Sequence, residues 1–61
     1  MKPGDKVRVK SDCYIYPNKT GFIYSKCPKE SYDWSVIIEI NGLVENMPIE
    51  VYYLESELEL I

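Results

Sequence analysis

The chain has no histidine, and that absence narrows its chemistry more than any residue present. Imidazole is the commonest general base near neutral pH and the commonest metal ligand. There are two cysteines, Cys13 and Cys27, fourteen positions apart. That is neither a C-x-x-C pair nor a zinc spacing, and no histidine completes a site. Neither thiol has an evident base to activate it as a nucleophile. The three glycines form no phosphate-cradling loop. Glu55, Glu57 and Glu59 cluster near the end, where carboxylates on a turn and an edge are ordinarily just solvated. The expectation is a non-catalytic protein with no metal and no cofactor.

Long apolar runs are also lacking. No stretch approaches the ~20 apolar residues that a membrane-spanning helix needs. No apolar run follows Met1, so no secretory leader is expected. The expected location is cytoplasmic, and any membrane association would be peripheral, through a complex. Free thiols rather than a disulfide fit that location. Sixty-one residues make a single domain, 1–61. A chain this short buries only about 60% of its unfolded surface. Eight aromatics, six of them tyrosine, give a small core large packing units.

The second half lacks any base. Lys2, Lys6, Arg8, Lys10, Lys19, Lys26 and Lys29 stand against Asp5 and Asp12, so residues 1–29 carry +5. Residues 30–61 hold eight acids and no base, −8, which brings the net charge to −3. Such asymmetry either marks two surfaces of opposite sign or lets the halves pair within one fold.

What is present reads as β-structure. The segment WSVIIEI, 34–40, is the strongest strand signal, rich in β-branched side chains that suit a pleated surface. With Asp33 it predicts a central strand over 33–40. Trp34, Val36, Ile38 and Ile40 face the core, and Asp33, Ser35, Ile37 and Glu39 face away. Asn41-Gly42 supplies the positive φ angles of a tight hairpin turn. Residues 6–10 alternate, with Val7 and Val9 inward and Lys6, Arg8 and Lys10 outward. Residues 11–19 read as a long, partly extended loop whose tyrosines either form a surface patch or cover the core edge, and 26–32 as a polar loop.

A second strand spans 20–25, with Gly21 at a bulge or bend. Residues 43–46 are a candidate hairpin arm, interrupted by Met47-Pro48. Residues 49–53 form a strand with Ile49, Val51 and Tyr53 on one face. LESEL, 54–58, suits one 3₁₀ turn, and 59–61 a short closing strand. Five short strands and no long helix predict an all-β fold: a small five-stranded SH3-like barrel with a 3₁₀ turn before the last strand. Closure would protect the edges of so small a sheet. With first and last strands adjacent, Lys6 and Arg8 would lie near Glu57 and Glu59. Glu39, Glu45, Glu50 and Glu55 would remain as unmatched acidic surface.

GDKVRVK (4–10) followed by TGFIYS (20–25) resembles the opening of KOW-type and related SH3-like domains. The ending YYLESELELI (52–61) resembles that of small cyanobacterial SH3-like proteins. Two such families are accessory subunits of photosynthetic electron-transport complexes: the PetP type of the cytochrome bf complex and the NdhS type of the NAD(P)H dehydrogenase-like complex. The resemblance implies an accessory subunit of such a complex. The closing segment carries no base that would meet acidic ferredoxin, which NdhS-type subunits help receive.

Three functional constellations follow. Tyr14, Tyr16, Trp34 and Tyr52 or Tyr53 occupy places similar to the aromatic groove of signalling SH3 domains, which docks polyproline II segments. With Glu50, Glu55 and Glu57 as a charged rim, they are the candidate protein-binding residues, since interfaces favour aromatic anchors. Lys6, Arg8, Lys10, Lys19, Lys26 and Lys29, interleaved with Tyr14, Tyr16 and Tyr24, form an alternative RNA- or ribosome-binding surface. A second alternative is an acidic protein that imitates nucleic-acid charge. The leading expectation is a small protein–protein interaction module, monomeric alone, that serves as an accessory or regulatory subunit of a larger complex.

Overall fold

The computed structural model describes residues 1–41, 43–44 and 46–61. The chain runs β1 (Lys6–Val9), β2 (Thr20–Lys26), β3 (Trp34–Ile38), β4 (Ile49–Tyr53), a 3₁₀ turn η1 (Glu55–Glu57) and β5 (Leu58–Leu60). All pairings are antiparallel, in one sheet ordered β4-β3-β2-β1-β5. The expected closure is absent: β4 and β5 are the two edges, with no ladder between them.

The sheet is nevertheless strongly curled. Laid flat, four interstrand spacings would set β4 and β5 roughly 19 Å apart. Only residues 54–57 join them, a link of about 17 Å at full extension. Three of those residues rise only about 2 Å each in the 3₁₀ turn, so the edges must bend toward each other. The core agrees. Val7 and Val9 of β1, Ile23 of β2, Val36 and Ile38 of β3, Tyr53 of β4 and Leu58 of β5 form one buried cluster. Every strand contributes to it, so the inner face wraps around a common centre. Met1, Cys13, Trp34, Ile40, Ile49 and Val51 pack against its margins.

The second face of β3 departs from expectation. Ser35 is fully buried, and Ile37 and Glu39 are nearly so. In the register, Ile37 lies between Phe22 on β2 and Glu50 on β4, and Lys6 follows beyond Phe22. These long side chains cover the middle of the outer face. The Ser35 hydroxyl donates to Glu50 Oε2. Glu39 Oε1 lies 2.7 Å from Lys6 Nζ without a well-directed hydrogen bond, so charge holds that oxygen. The alternation is real, but a central strand in so small a sheet is covered by its neighbours on both sides.

Gly21 is not the bulge. The register shifts between Ile23 and Ser25 instead. Gly21 is where β2 approaches its neighbour β3 too closely for a side chain: a Cβ there would lie 2.2 Å from the Ile37 carbonyl oxygen. At the other hairpin, Asn41 has φ +54°, as the Asn-Gly turn requires. Ile40 and Leu43 exchange backbone hydrogen bonds of 2.8 and 3.0 Å across it. Among the described residues, the pairing here is one isolated bridge. The expectation for Gly42, and that for Glu45, lie outside the described residues. Among the described residues no helix is long and apolar enough to cross a membrane.

Candidate functional site

The long loop after β1 is pinned at both ends and in the middle. Val9 N–H donates to Lys19 O (2.8 Å) and Asn18 N–H to Val9 O (2.9 Å), which closes its base. Asn18 and Tyr16 take positive φ angles of 65° and 50°. Asparagine visits that region readily; a tyrosine there is uncommon, so the surrounding loop holds it. In the middle, Tyr53 OH donates to the Ile15 carbonyl at 2.7 Å. A residue from the core thereby fixes the crest of the loop.

The 3₁₀ turn is fixed just as firmly. Leu54 N–H donates to Glu57 Oε1 (2.8 Å), the reach-back half of a capping box. Cys13 Sγ donates to Glu57 Oε2 (3.3 Å), so one carboxylate ties the turn to the loop. From β3, Trp34 Nε1 donates to Glu55 Oε1 (3.2 Å). Just before β3, Asp33 Oδ2 accepts the Glu55 N–H (2.7 Å).

Between loop and turn lies a groove of about 190 Å³ lined by Cys13, Tyr14, Ile15, Tyr32, Tyr52, Tyr53 and Glu57. Its floor is Tyr53, which is 1% exposed. Burial is the main cause that pushes this phenol's pKa well above its usual range. Burial likewise raises the Cys13 thiol, and the hydrogen bond to Glu57 raises it further. Both shifts favour the protonated forms at neutral pH. Tyr32 and Tyr52 form a wall, with ring centroids 6.2 Å apart and planes tilted by 46°. Tyr14 is 98% exposed at the mouth. The site offers aromatic surface and one carboxylate.

Of the candidate protein-binding residues, Tyr14, Tyr52 and Glu57 meet in this groove. Trp34 and Glu55 bond each other beside it. Trp34 is half-buried against the core, so it serves packing as well as surface. Tyr16 stays in the same loop but does not line the groove, and Glu50 is engaged by Ser35 on the outer face. Tyr53, the alternative to Tyr52 in the sequence reading, also lines the groove, and Cys13, Ile15 and Tyr32 complete the lining without having been singled out for it.

Two of the basic residues are engaged by carboxylates. Lys6 pairs with Glu39 and Arg8 with Glu59 (2.8 Å). The expected neighbourhood of Arg8 and Glu59 is thus observed in register, whereas Lys6 turns to Glu39. Lys10 is half-buried, Lys19 is exposed on the loop and Lys26 is exposed at the end of β2. Lys29 lies over the Tyr52 ring, with Nζ 5.6 Å from its centroid. Cys13 and Cys27 are both free, and among the described residues no cluster of three or more potential metal ligands occurs. Compared with protein-family models, curated proteins and solved structures, the chain matches none.

Proposed function

We propose that this protein is a non-catalytic interaction module whose tyrosine-lined groove holds a segment of another protein. The observation that carries this reading is the groove itself, in which Tyr14, Tyr32 and Tyr52 expose ring surface above a rigid floor. Aromatic rings offer large contact area at little conformational cost, the usual make-up of an interface anchor. The SH3-like reading of the fold belongs to the same proposal, supported by adjacent first and last strands, the curl of the sheet and the 3₁₀ turn before β5. Its grooves suit an extended, polyproline II segment. A small accessory or regulatory subunit of a larger assembly is the role such a module fits. The resemblance of residues 52–61 supports an electron-transport complex as that assembly.

The RNA-binding alternative draws less support. Two of its cations, Lys6 and Arg8, are ion-paired on the outer face. The test is capture of partners from the native host by tagged protein, with and without nuclease, using wild type and Tyr14→Ala. The expected result is a defined protein set that survives nuclease and is lost with Tyr14→Ala. Loss on nuclease treatment alone would overturn the proposal in favour of nucleic acid.

A further inference from the structure

The two edges of the sheet are not alike. β5 is three residues long, a short edge of the kind that resists pairing, and its Glu59 is held by Arg8. β4 runs five residues against β3 without a register shift. It carries no lysine and no proline, and Pro48 stops just short of it. Such an edge presents main-chain donors and acceptors that another strand can take.

Which groups these are follows from the ladder. Glu39 N–H donates to Thr20 O (2.9 Å). Main-chain direction alternates along a strand. Ile37, paired with Phe22, therefore also turns to β2, and Val36 and Ile38 turn to β4. Their partners Val51 and Ile49 are thus bonded inward. Tyr53 O likewise accepts the Asp33 N–H at 3.0 Å. Glu50 and Tyr52 are left with N–H and C=O directed away from the sheet. Among the described residues, no loop or turn bonds their main chain.

The side chains select the strand that fits. Glu50 and Tyr52 share the outer face with Ile37 and Ser35, while Val51 lies beside Val36 at the margin of the core. Glu50 is exposed and accepts the Ser35 hydroxyl, and among the described residues no cation pairs with it. Lys29 lies over the Tyr52 ring instead. Residues 30–61 contain no base, so β4 and all that follows it supply none. A second copy would bring only acids on its own edges, Glu50 and Glu59, and a net charge of −3. Main-chain pairing requires an extended occupant, and charge complementarity requires a basic one. We infer that the β4 edge accepts an extended, basic segment of another protein as an added strand, with a lysine or arginine opposite Glu50 and an aliphatic side chain opposite Val51. The inference goes beyond the groove and does not depend on it.

The first readout is amide hydrogen exchange of the intact protein, followed by two-dimensional NMR. Glu50 and Tyr52 should exchange about tenfold or more faster than Val51. The probe is then acetyl-Thr-Lys-Val-Lys-Thr-amide, titrated at fixed ionic strength. One control peptide has glutamate in place of both lysines, and another is N-methylated at both lysines and so lacks the pairing N–H groups. The lysine peptide should slow exchange at Glu50 and Tyr52, and the N-methylated one should not. The glutamate peptide should bind about fivefold or more weakly, since a like charge then faces Glu50. Glu50→Gln keeps an acceptor for Ser35 and removes the charge, so it should shrink that gap.

Exchange at Glu50 and Tyr52 as slow as at Val51 in the free protein, at all concentrations, would show that the edge is not open and overturn the inference. Slowing that grows with protein concentration alone would overturn it in favour of a second copy. Equal binding of the N-methylated peptide would overturn strand pairing, and equal binding of the glutamate peptide would overturn the basic partner. No slowing by the lysine peptide would overturn the inference outright. The groove reading is judged separately, by partner capture with Tyr14→Ala.

Discussion

Tyr53 serves the core and the groove at once. Its ring belongs to the central cluster, and its hydroxyl holds the loop through Ile15. The same burial gives it a pH signature. Its folded pKa lies above the unfolded value near 10, so the folded state keeps a proton that the unfolded state releases. That contribution is fully present below about pH 10 and is lost as pH rises past it, by about 1.4 kcal/mol per unit. Urea unfolding between pH 9 and 12 should therefore show falling stability, and Tyr53→Phe should flatten the fall. At neutral pH, Tyr53→Phe should cost about 0.5–1.5 kcal/mol for the lost hydrogen bond.

Gly21 supplies a second test at this scale. An added Cβ would meet backbone, which cannot swing away. Gly21→Ala should cost about 1–3 kcal/mol or more, much of the roughly 3–5 kcal/mol such a small core supplies. Thermal melting by circular dichroism would read it directly. A glycine within a strand signals a special position in the sequence. It does not say whether that position is a bulge or a close approach; only the spacing of Gly21 from its neighbour strand β3 decides.

At the level of elements, the strands were legible because their physics is local. Alternation marks Val7 and Val9, β-branching marks β3, and Asn41 marks its turn. The 3₁₀ turn was legible because LESEL is too short for a longer helix. The outer face of β3 was not legible. Its burial depends on side chains from β1, β2 and β4, which alternation along one strand does not report.

Two predictions belong to these elements. Asp33→Ala removes the acceptor of the Glu55 N–H and should lower stability by about 1 kcal/mol, seen as a lower urea midpoint with unchanged slope. The outer-face ion pairs should differ. Arg8 and Glu59 are both substantially exposed, so a double-mutant cycle should give only about 0.2–1 kcal/mol, vanishing in high salt. Glu39 is 9% exposed, so Lys6→Ala should destabilise more than Arg8→Ala, since it strands a largely desolvated carboxylate.

For the whole molecule, charge asymmetry and curl are two results of the same topology. Among the described residues, the two ion pairs each join a base of the first half to an acid of the second, so part of the asymmetry is spent within the fold. The short link through η1 bends β4 and β5 toward each other, and that bend sets the turn opposite the long loop. The groove is a product of this global shape. Tyr14 and Tyr52 could be named from sequence as exposed aromatics. Tyr53 could be named as the alternative to Tyr52, but Cys13, Ile15 and Tyr32 could not, because their convergence depends on loop conformations fixed by Tyr16, Asn18 and hydrogen bonds across some forty residues.

On the proposed function, this groove binds a protein partner. Its most direct test is calorimetric titration of the captured partner with wild type and Tyr14→Ala. Tyr14 is 98% exposed and supports nothing in the fold, so melting of the variant should match wild type. The account predicts an affinity loss of about tenfold or more, or about 1.4 kcal/mol. Undiminished affinity with an intact fold would contradict it and place the binding surface elsewhere on the molecule.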